Sequence, residues 1–352
     1  TSSSSGPIDY RLQPTTQVTF TRVNTRTDAP EAVDGNISVA SFNVLNYFTT
    51  FGSRGADNQF EFDRQRTKII TAMLSIDADI VGLMEIENNA TEAIGDLVDG
   101  LNAIAGAGTY AYIDSGIVGG DEIKVAMIYQ PASVTPVGTT AVLTDTFPFN
   151  VNTRPPLAQA FATTLTGYEF IVVVNHFKSK GSACDSIYNP DTGLDFLDPD
   201  LGDGQANCNL TRVEAAKVMD TWLDTDPTST GSTDILVIGD LNAYAKEDPI
   251  TTLTDLGYTN LSEVYGGPWA YSYVFDGQLG YLDHALASPS MVEKVTGTTH
   301  WHINADEPST LNYNDYNLPY LYQPNAYRSS DHDPVVIGLS YLAEIYMPII
   351  MK

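Results

Sequence analysis

The stretch Arg328-Ser329-Ser330-Asp331-His332-Asp333-Pro334 sets one imidazole between two carboxylates, directly ahead of the apolar run Val335 to Leu339. A carboxylate can orient an imidazole, and a neutral imidazole can take a proton from water at physiological pH. Ser-Ser-Asp is also ordinary turn chemistry, in which His332 would only decorate a loop. Other apolar runs end in similar polar groups. Ile37 to Phe42 leads to Asn43 and then Asn46. Asp79 to Met84 leads to Glu85, Glu87 and Asn88. Phe170 to Asn175 leads to His176, Lys178 and Lys180. Asp234 to Gly239 leads to Asp240 and Asn242, and Gly280 to Leu282 leads to Asp283 and His284. Side chains alternate along a strand, so Asp240 and Asn242 point the same way. Polar groups from several strand ends, gathered at one rim of a sheet, make a site on rigid supports.

The elements that must position these groups follow from periodicity. Phe62 to Ser75 reads as a helix, with Ile69, Ile70, Met73 and Leu74 at helical spacing and Asp63 as its cap. Further helices are expected over about 90 to 105, Thr211 to Leu223 and Asp248 to Leu256. Strands are expected near Ala111 to Ile113, Ile123 to Tyr129, Ala141 to Leu143, Tyr271 to Phe275 and Tyr281 to Ala287. A hairpin through Gly167 joins Ala158 to Leu165 with Tyr168 to Asn175. Strands outnumber helices, and hairpins mix with helical crossovers. The pattern predicts an α+β protein: a four-layer α/β/β/α sandwich of two packed mixed sheets with helices outside. Residues 1–35 read as a lead-in or linker containing a strand-like Gln17 to Arg22, 36–342 as the catalytic domain, and 343–352 as a C-terminal tail. No internal repeat of fixed period is visible.

The 352 residues carry 17 basic and 44 acidic side chains, a net charge of −27. That balance discourages non-specific adhesion to nucleic acid or anionic membrane, so a nuclease would need local basic groups or cations at its site. Low lysine with abundant aspartate fits a secreted or salt-exposed protein. No apolar run approaches membrane-spanning length. No signal peptide is visible at the serine-rich start, so a secreted protein would have lost its signal earlier. The two cysteines, Cys184 and Cys208, flank one polar loop. A disulfide there would staple the loop and imply an oxidising compartment, whereas two free thiols would suit a cytosolic one.

The order of motifs resembles the endonuclease/exonuclease/phosphatase superfamily, and most closely its secreted bacterial extracellular nucleases. The matching words are Ser41-Phe42-Asn43-Val44-Leu45-Asn46-Tyr47-Phe48, Met84-Glu85-Ile86-Glu87-Asn88, Val174-Asn175-His176-Phe177-Lys178-Ser179-Lys180-Gly181, Gly239-Asp240-Leu241-Asn242-Ala243, Tyr281-Leu282-Asp283-His284 and Ser329 to Pro334. The resemblance covers about residues 37 to 342. It implies that Asn43 and Glu85 hold a divalent metal, Mg²⁺ or Mn²⁺, with Asp331 on the metal side. It implies that Asp240 and Asn242 meet the scissile phosphate, the nucleophile or a second metal, and that His176 serves a phosphate oxygen or the leaving group. Asp283 would orient His332, which would activate water. Lys124 falls near where relatives place a phosphate contact, and Asn46 stands with it as a substrate-binding candidate. Carboxylate and amide oxygens suit a hard cation.

Other groups have blander alternatives. Glu87 and Asn46 would support better-placed neighbours. His300 and His302 could bind metal but read as surface strand histidines. Arg212 would pack or pair with an acid. The Asp198 to Asp203 run could hold a structural Ca²⁺ or be a solvated loop. The tyrosines between Asn312 and Tyr327 could stack bases or sugars, or pack their own loop. The leading expectation is a secreted, metal-dependent hydrolase of DNA, and of RNA in a broader version, with little sequence preference. The competing ones are a phosphomonoesterase or sphingomyelinase-like phospholipase of the same fold, for which Trp269-Ala270-Tyr271 is the sole membrane-contacting candidate, and a non-catalytic adhesion or carbohydrate-binding domain.

Overall fold

The computed structural model describes residues 13–19, 21, 25–151, 153–315 and 318–341. In chain order the elements are β1 (Ile37–Tyr47), α1 (Gln59–Ile76), β2 (Ile80–Glu87), α2 (Glu92–Ala105), β3 (Ala111–Tyr112), β4 (Ile123–Tyr129), β5 (Val134–Val142), β6 (Leu157–Thr163), β7 (Glu169–His176), β8 (Ile187–Asn189), β9 (Leu194–Phe196), α3 (Asn209–Leu223), β10 (Ile235–Asp240), α4 (Asp248–Asp255), β11 (Thr259–Asn260), α5 (Leu261–Gly266), β12 (Tyr273–Phe275), β13 (Gln278–Gly280), β14 (Asp283–Ala287), α6 (Pro289–Val292), β15 (Val295–His300) and β16 (Val335–Leu339). One sheet runs β15-β16-β1-β2-β4-β3 and the other β11-β14-β10-β7-β6-β5. Both are mixed. β1 is parallel to β2 and antiparallel to β16, and β10 is parallel to β7 and antiparallel to β14.

Alternation along the strands builds the layers. Val39, Ile80, Met84 and Met127 face Val172, Val174, Leu236 and Ile238 across the gap between the sheets. The neighbouring residues Ala40, Phe42, Val81 and Leu83 face outward onto Ile69 and Met73 of α1 and Leu97 of α2. On the far side, Val173, Val237 and Leu286 meet Ala215 and Met219 of α3 and Leu253 of α4. Each Val, Leu, Ile, Phe or Met side chain among them contributes about 1.5–3 kcal/mol on burial, and a one-residue slip of a strand would turn its side chains to the wrong face. Gly82 lets the sheets meet closely, since a Cβ there would come within 2.6 Å of Ile238 Cδ1 and 2.7 Å of Val174 Cγ2. The α+β four-layer sandwich is therefore the observed architecture.

Several elements differ from their sequence-based bounds. α1 begins a turn early and is capped by Asn58, not Asp63; Asn58 Oδ1 accepts from the Glu61 amide at 3.1 Å. Its first turn is polar, with the buried Glu61 carboxylate accepting from the amides of Asp57 and Asp315 at 2.9 and 2.6 Å, so hydrophobic spacing does not reveal it. β5 reaches back to Val134 through Pro136, which an edge strand tolerates. β15 carries little apolar signal and is missing from the expected strands. The described residues between Gln17 and Arg22 form no strand, and 343–352 lie outside the described residues. Residues 25–36 lie against the catalytic unit: Trp301 Nε1 donates to Thr27 Oγ1 at 2.8 Å and the Tyr327 hydroxyl to Thr27 O at 2.7 Å.

Candidate active site

β1, β2, β7, β10 and β14 deliver their C-terminal or flanking residues to one rim, and backbone irregularities aim them. The β1–β2 ladder shifts register between Asn43 and Tyr47, and the β2–β4 ladder shifts between Leu83 and Ile86. Leu45, Asn46 and Glu85 accordingly take left-handed backbone conformations, with φ of 54°, 51° and 65°. Bulges commonly re-aim a side chain in this way, and a left-handed glutamate persists only where its surroundings hold it. The Glu85 carboxylate is gripped by Asn43 Nδ2 at 3.2 Å and by the Asn46 amide at 2.9 Å. On β10, Gly239 has φ +134°, and a Cβ there would lie 2.0 Å from Asn175 O. Only glycine fits that conformation, and it turns Asp240 into the cleft.

The His332 loop leads into β16, in the sheet of β1 and β2, and meets Asp283 and Asp240 of the other sheet. His332 Nδ1 lies 2.8 Å from Asp283 Oδ2, which also accepts from Ser272 Oγ at 2.6 Å. His332 Nε2 points toward Asp240 Oδ2 at 3.9 Å. Tyr273 stacks on the imidazole, with ring centroids 4.5 Å apart. Asn304 ties down the loop: its amide donates to His332 O at 2.6 Å, and its Oδ1 accepts from the Ser329 amide at 2.8 Å. Asp333 is wholly buried as a loop clamp, accepting from the amides of Ile303, Asn304 and Ala305 at 2.8–3.0 Å. Asp240 Oδ2 lies 3.5 Å from His176 Nε2 and 3.4 Å from Asn43 Nδ2, while its Oδ1 accepts from the Asn242 amide at 2.8 Å. These groups open into a cleft of about 330 Å³ that also exposes Asn46 and Asp331.

Electrostatics divide the titrating groups. Burial pushes the Asp240 carboxyl up to about 7, against the opposing charge of His332. Burial raises Glu85 too, and Asp331 adds to it. Burial holds His176 well below the ordinary histidine range, helped by the Arg154 guanidinium. Burial alone would also lower His332, but Asp283 and Asp240 outweigh it and hold His332 well above that range. Carboxylates beside both ring nitrogens, Asp283 at Nδ1 and Asp240 at Nε2, favour the protonated form of His332 relative to a free imidazole.

Two buried carboxylates whose ionisation burial opposes, with the Asp331 carboxylate and Asn242 lining the same cleft, form a set that a hard divalent cation would relieve. Among the described residues, no three His, Cys, Asp or Glu side chains stand together as a ready cage. An ion that keeps several waters and takes one or two carboxylates would fit such a set.

The structure places Lys124 elsewhere. It is buried, and its ammonium donates to the carbonyls of Asn89 at 2.8 Å, Ala90 at 3.3 Å and Gly116 at 2.5 Å, so it has no hand free for phosphate. The basic wall of the cleft is instead Arg54 and Arg154, with Ser179 beside them. Arg154 is anchored by Asp121 at 2.9 Å and by Phe177 O at 3.2 Å, and Arg54 pairs with Glu122 at 2.9 Å. Neither arginine lies in a periodic segment. Their one sequence signal is the scarcity of basic residues in so acidic a chain.

The remaining candidates have structural work. Glu87 clamps the following loop, accepting from the amide and hydroxyl of Thr49, each at 2.8 Å. Asp198 caps α3 through the Thr211 amide at 2.7 Å and hydroxyl at 2.6 Å. One member of the acidic run therefore serves as a helix cap. Arg212 is fully buried on the carbonyls of Lys178, Asn207 and Gln205. Cys184 and Cys208 form a disulfide, with Cα atoms 5.2 Å apart. His300 is not a surface histidine: it is buried beside Ser262, while His302 pairs with Asp333 at 2.9 Å. Tyr313 and Tyr327 belong to the core, and Tyr322 lies under Arg64, 4.1 Å from ring centroid to guanidinium; Tyr316 lies outside the described residues.

Strand-end acids, an acid-steered imidazole and a basic wall on a four-layer sandwich define a class of layered hydrolases. The chain belongs to the Endonuclease/Exonuclease/phosphatase family, whose profile matches residues 40–332. It is accordingly a hydrolase of that superfamily, whose members act on phosphoester bonds and generally use divalent metals. A Bacteroides thetaiotaomicron protein of the endonuclease/exonuclease/phosphatase family aligns with a TM-score of 0.55 at 18% identity, over 89% of this chain and 97% of that one. The mannosyl-6-phosphatase Bt3783 of B. thetaiotaomicron VPI-5482 aligns at 0.52 and 18%, over 87% and 100%. D. rerio TDP2 complexed with single strand DNA product aligns at 0.53 and 12%, over 86% and 98%. At these identities the likeness is one of fold. No curated protein matches the sequence at a significant level.

Proposed function

We propose that this chain is a secreted, divalent-metal-dependent phosphodiesterase that hydrolyses DNA with little sequence preference. The observation that carries the proposal is the cleft itself, where the Asp283–His332 pair faces Arg54 and Arg154 across the buried Asp240. In a protein of net charge −27, these two arginines, each paired with acids, would need a bound divalent cation beside them to make the cleft attractive to a polyanion. The groups that line the cleft match a sugar-phosphate backbone, and none is arranged to read base edges.

In this reading Arg54 and Arg154 seat the phosphate. Asp283 fixes His332 with its proton on Nδ1, leaving Nε2 to accept a proton from the attacking water once the imidazolium has discharged. Asp240 orients that water, and neutral His176 donates Nε2–H to a phosphoryl or leaving oxygen. Glu85 and Asn43, with Asp331, would hold Mg²⁺ or Mn²⁺, which when bound supplies charge neutralisation at the phosphoryl oxygen. Secretion is supported by the disulfide, since such bonds persist in oxidising compartments. No helix among the described residues is long and apolar enough to cross a membrane.

The test sets DNA, RNA, sphingomyelin vesicles and p-nitrophenyl phosphate side by side with Mn²⁺. The proposal expects DNA to be cleaved fastest. Preference for the phosphomonoester or the phospholipid would replace it with the phosphatase or phospholipase reading.

A further inference from the structure

A cavity of about 750 Å³ lies away from the cleft, and none of the proposed catalytic groups lines it. Five separate segments of the chain wall it. The lead-in residues are held against it by Arg26, whose guanidinium pairs with Glu307 at 2.7 and 2.5 Å and lies 4.6 Å over the Tyr327 ring. One wall is Trp269, which at 87% exposure is the most exposed large hydrophobic side chain among the described residues, with Tyr265 beside it. An indole left bare at the mouth of a cavity of ligand size calls for an occupant. The opposite wall is polar. It includes Thr299 and the Asp306 carboxylate, which accepts from Tyr271 at 3.3 Å.

We infer that this cavity is a second binding site, for a neutral pyranose oligosaccharide. Charge chooses against phosphate. Glu31, Asp306 and Glu307 line the cavity against the single guanidinium of Arg26, which Glu307 already neutralises. A nucleic-acid backbone would be repelled, so the cavity is not an extension of the DNA cleft. Arg26 already pairs with Glu307 and covers the Tyr327 ring, so a cation drawn by Glu31 and Asp306 is the competing occupant, which spermidine tests. An exposed indole offers a face to the C–H groups of a sugar ring, and the Asp306 carboxylate lining the same cavity can accept from sugar hydroxyls.

The test titrates the full chain with cellotriose, maltotriose and chitotriose, followed by tryptophan fluorescence and calorimetry, with spermidine and inorganic phosphate as charged comparators. Saturable binding of at least one trisaccharide is expected, weakened at least tenfold by Trp269→Ala and severalfold by the near-isosteric Asp306→Asn. Phosphodiester hydrolysis by both variants should match that of the unaltered chain. No trisaccharide binding, binding that Trp269→Ala leaves intact, or binding of spermidine or phosphate in place of sugar would each overturn the inference.

Discussion

Asp283→Asn removes one charge from the site while keeping its shape, and its effect can be worked from the contacts. Asp283 Oδ2 accepts from His332 Nδ1 at 2.8 Å and from Ser272 Oγ at 2.6 Å, while Oδ1 is buried without a partner. If the amide oxygen takes the Oδ2 place, its NH₂ is buried with no acceptor, at a cost of about 1–3 kcal/mol. If the NH₂ takes that place, it donates to Nδ1 and forces the His332 proton onto Nε2, where the ring can no longer accept one from water. The second outcome removes the oriented base, and the first keeps its orientation but loses the charge that stabilises the imidazolium, so kcat should fall by about 10²–10⁴. The sign of the pH effect is also determined. Asp283 is the foremost of the charges that raise His332, so its loss lets burial dominate and moves the acid limb of the rate profile downward. The assay is kcat/KM on bis(p-nitrophenyl) phosphate with Mn²⁺ across about pH 5–9, with a melting curve to confirm folding. A folded variant within about threefold of the unaltered rate, with an unmoved acid limb, would refute the role given to His332.

Arg54→Ala should raise KM for DNA severalfold with little change in kcat and flatten the salt dependence of KM, because Arg54 touches the chain's acids only at the rim; an unchanged salt dependence would remove it from the phosphate path. His284 and His300 are held neutral at about 4 by burial, whereas an unfolded histidine titrates near 6.5. The unfolded chain binds their protons first, so the stability they contribute is complete above about pH 6.5 and is lost as pH falls toward 4, at about 3 kcal/mol for each at most. His300→Gln should shallow the fall of melting temperature over that window, and an equal slope would show that other groups carry the acid lability.

What the sequence revealed followed the physics of strands. Ile123–Tyr129, Ile235–Asp240 and Val335–Leu339 were legible because a strand buried on both faces is a continuous apolar run with sharp polar ends. Those ends also located Asn43, Glu85, His176, Asp240, Asp283 and His332. Groups whose role depends on where a loop folds stayed hidden. Arg54 and Arg154 reach the cleft from irregular segments, and Ser272 and Asn304 brace the His332 loop from turns with no periodic signal. Lys124 misled for the converse reason. Its strand position was correct, but nearby loop carbonyls satisfy its ammonium inside the protein. The bulge that turns Glu85 inward is likewise a matter of pairing between β2 and β4, invisible in either strand alone.

The most direct measurement is degradation of plasmid DNA by the purified chain with Mn²⁺, with EDTA in excess, and by Asp240→Asn under both conditions. Cleavage by the unaltered chain that stops with EDTA, returns when Mn²⁺ is restored, and is lost in the variant is the predicted result. Undiminished cleavage in EDTA, or by Asp240→Asn, would contradict a site in which a divalent cation and Asp240 act at one cleft.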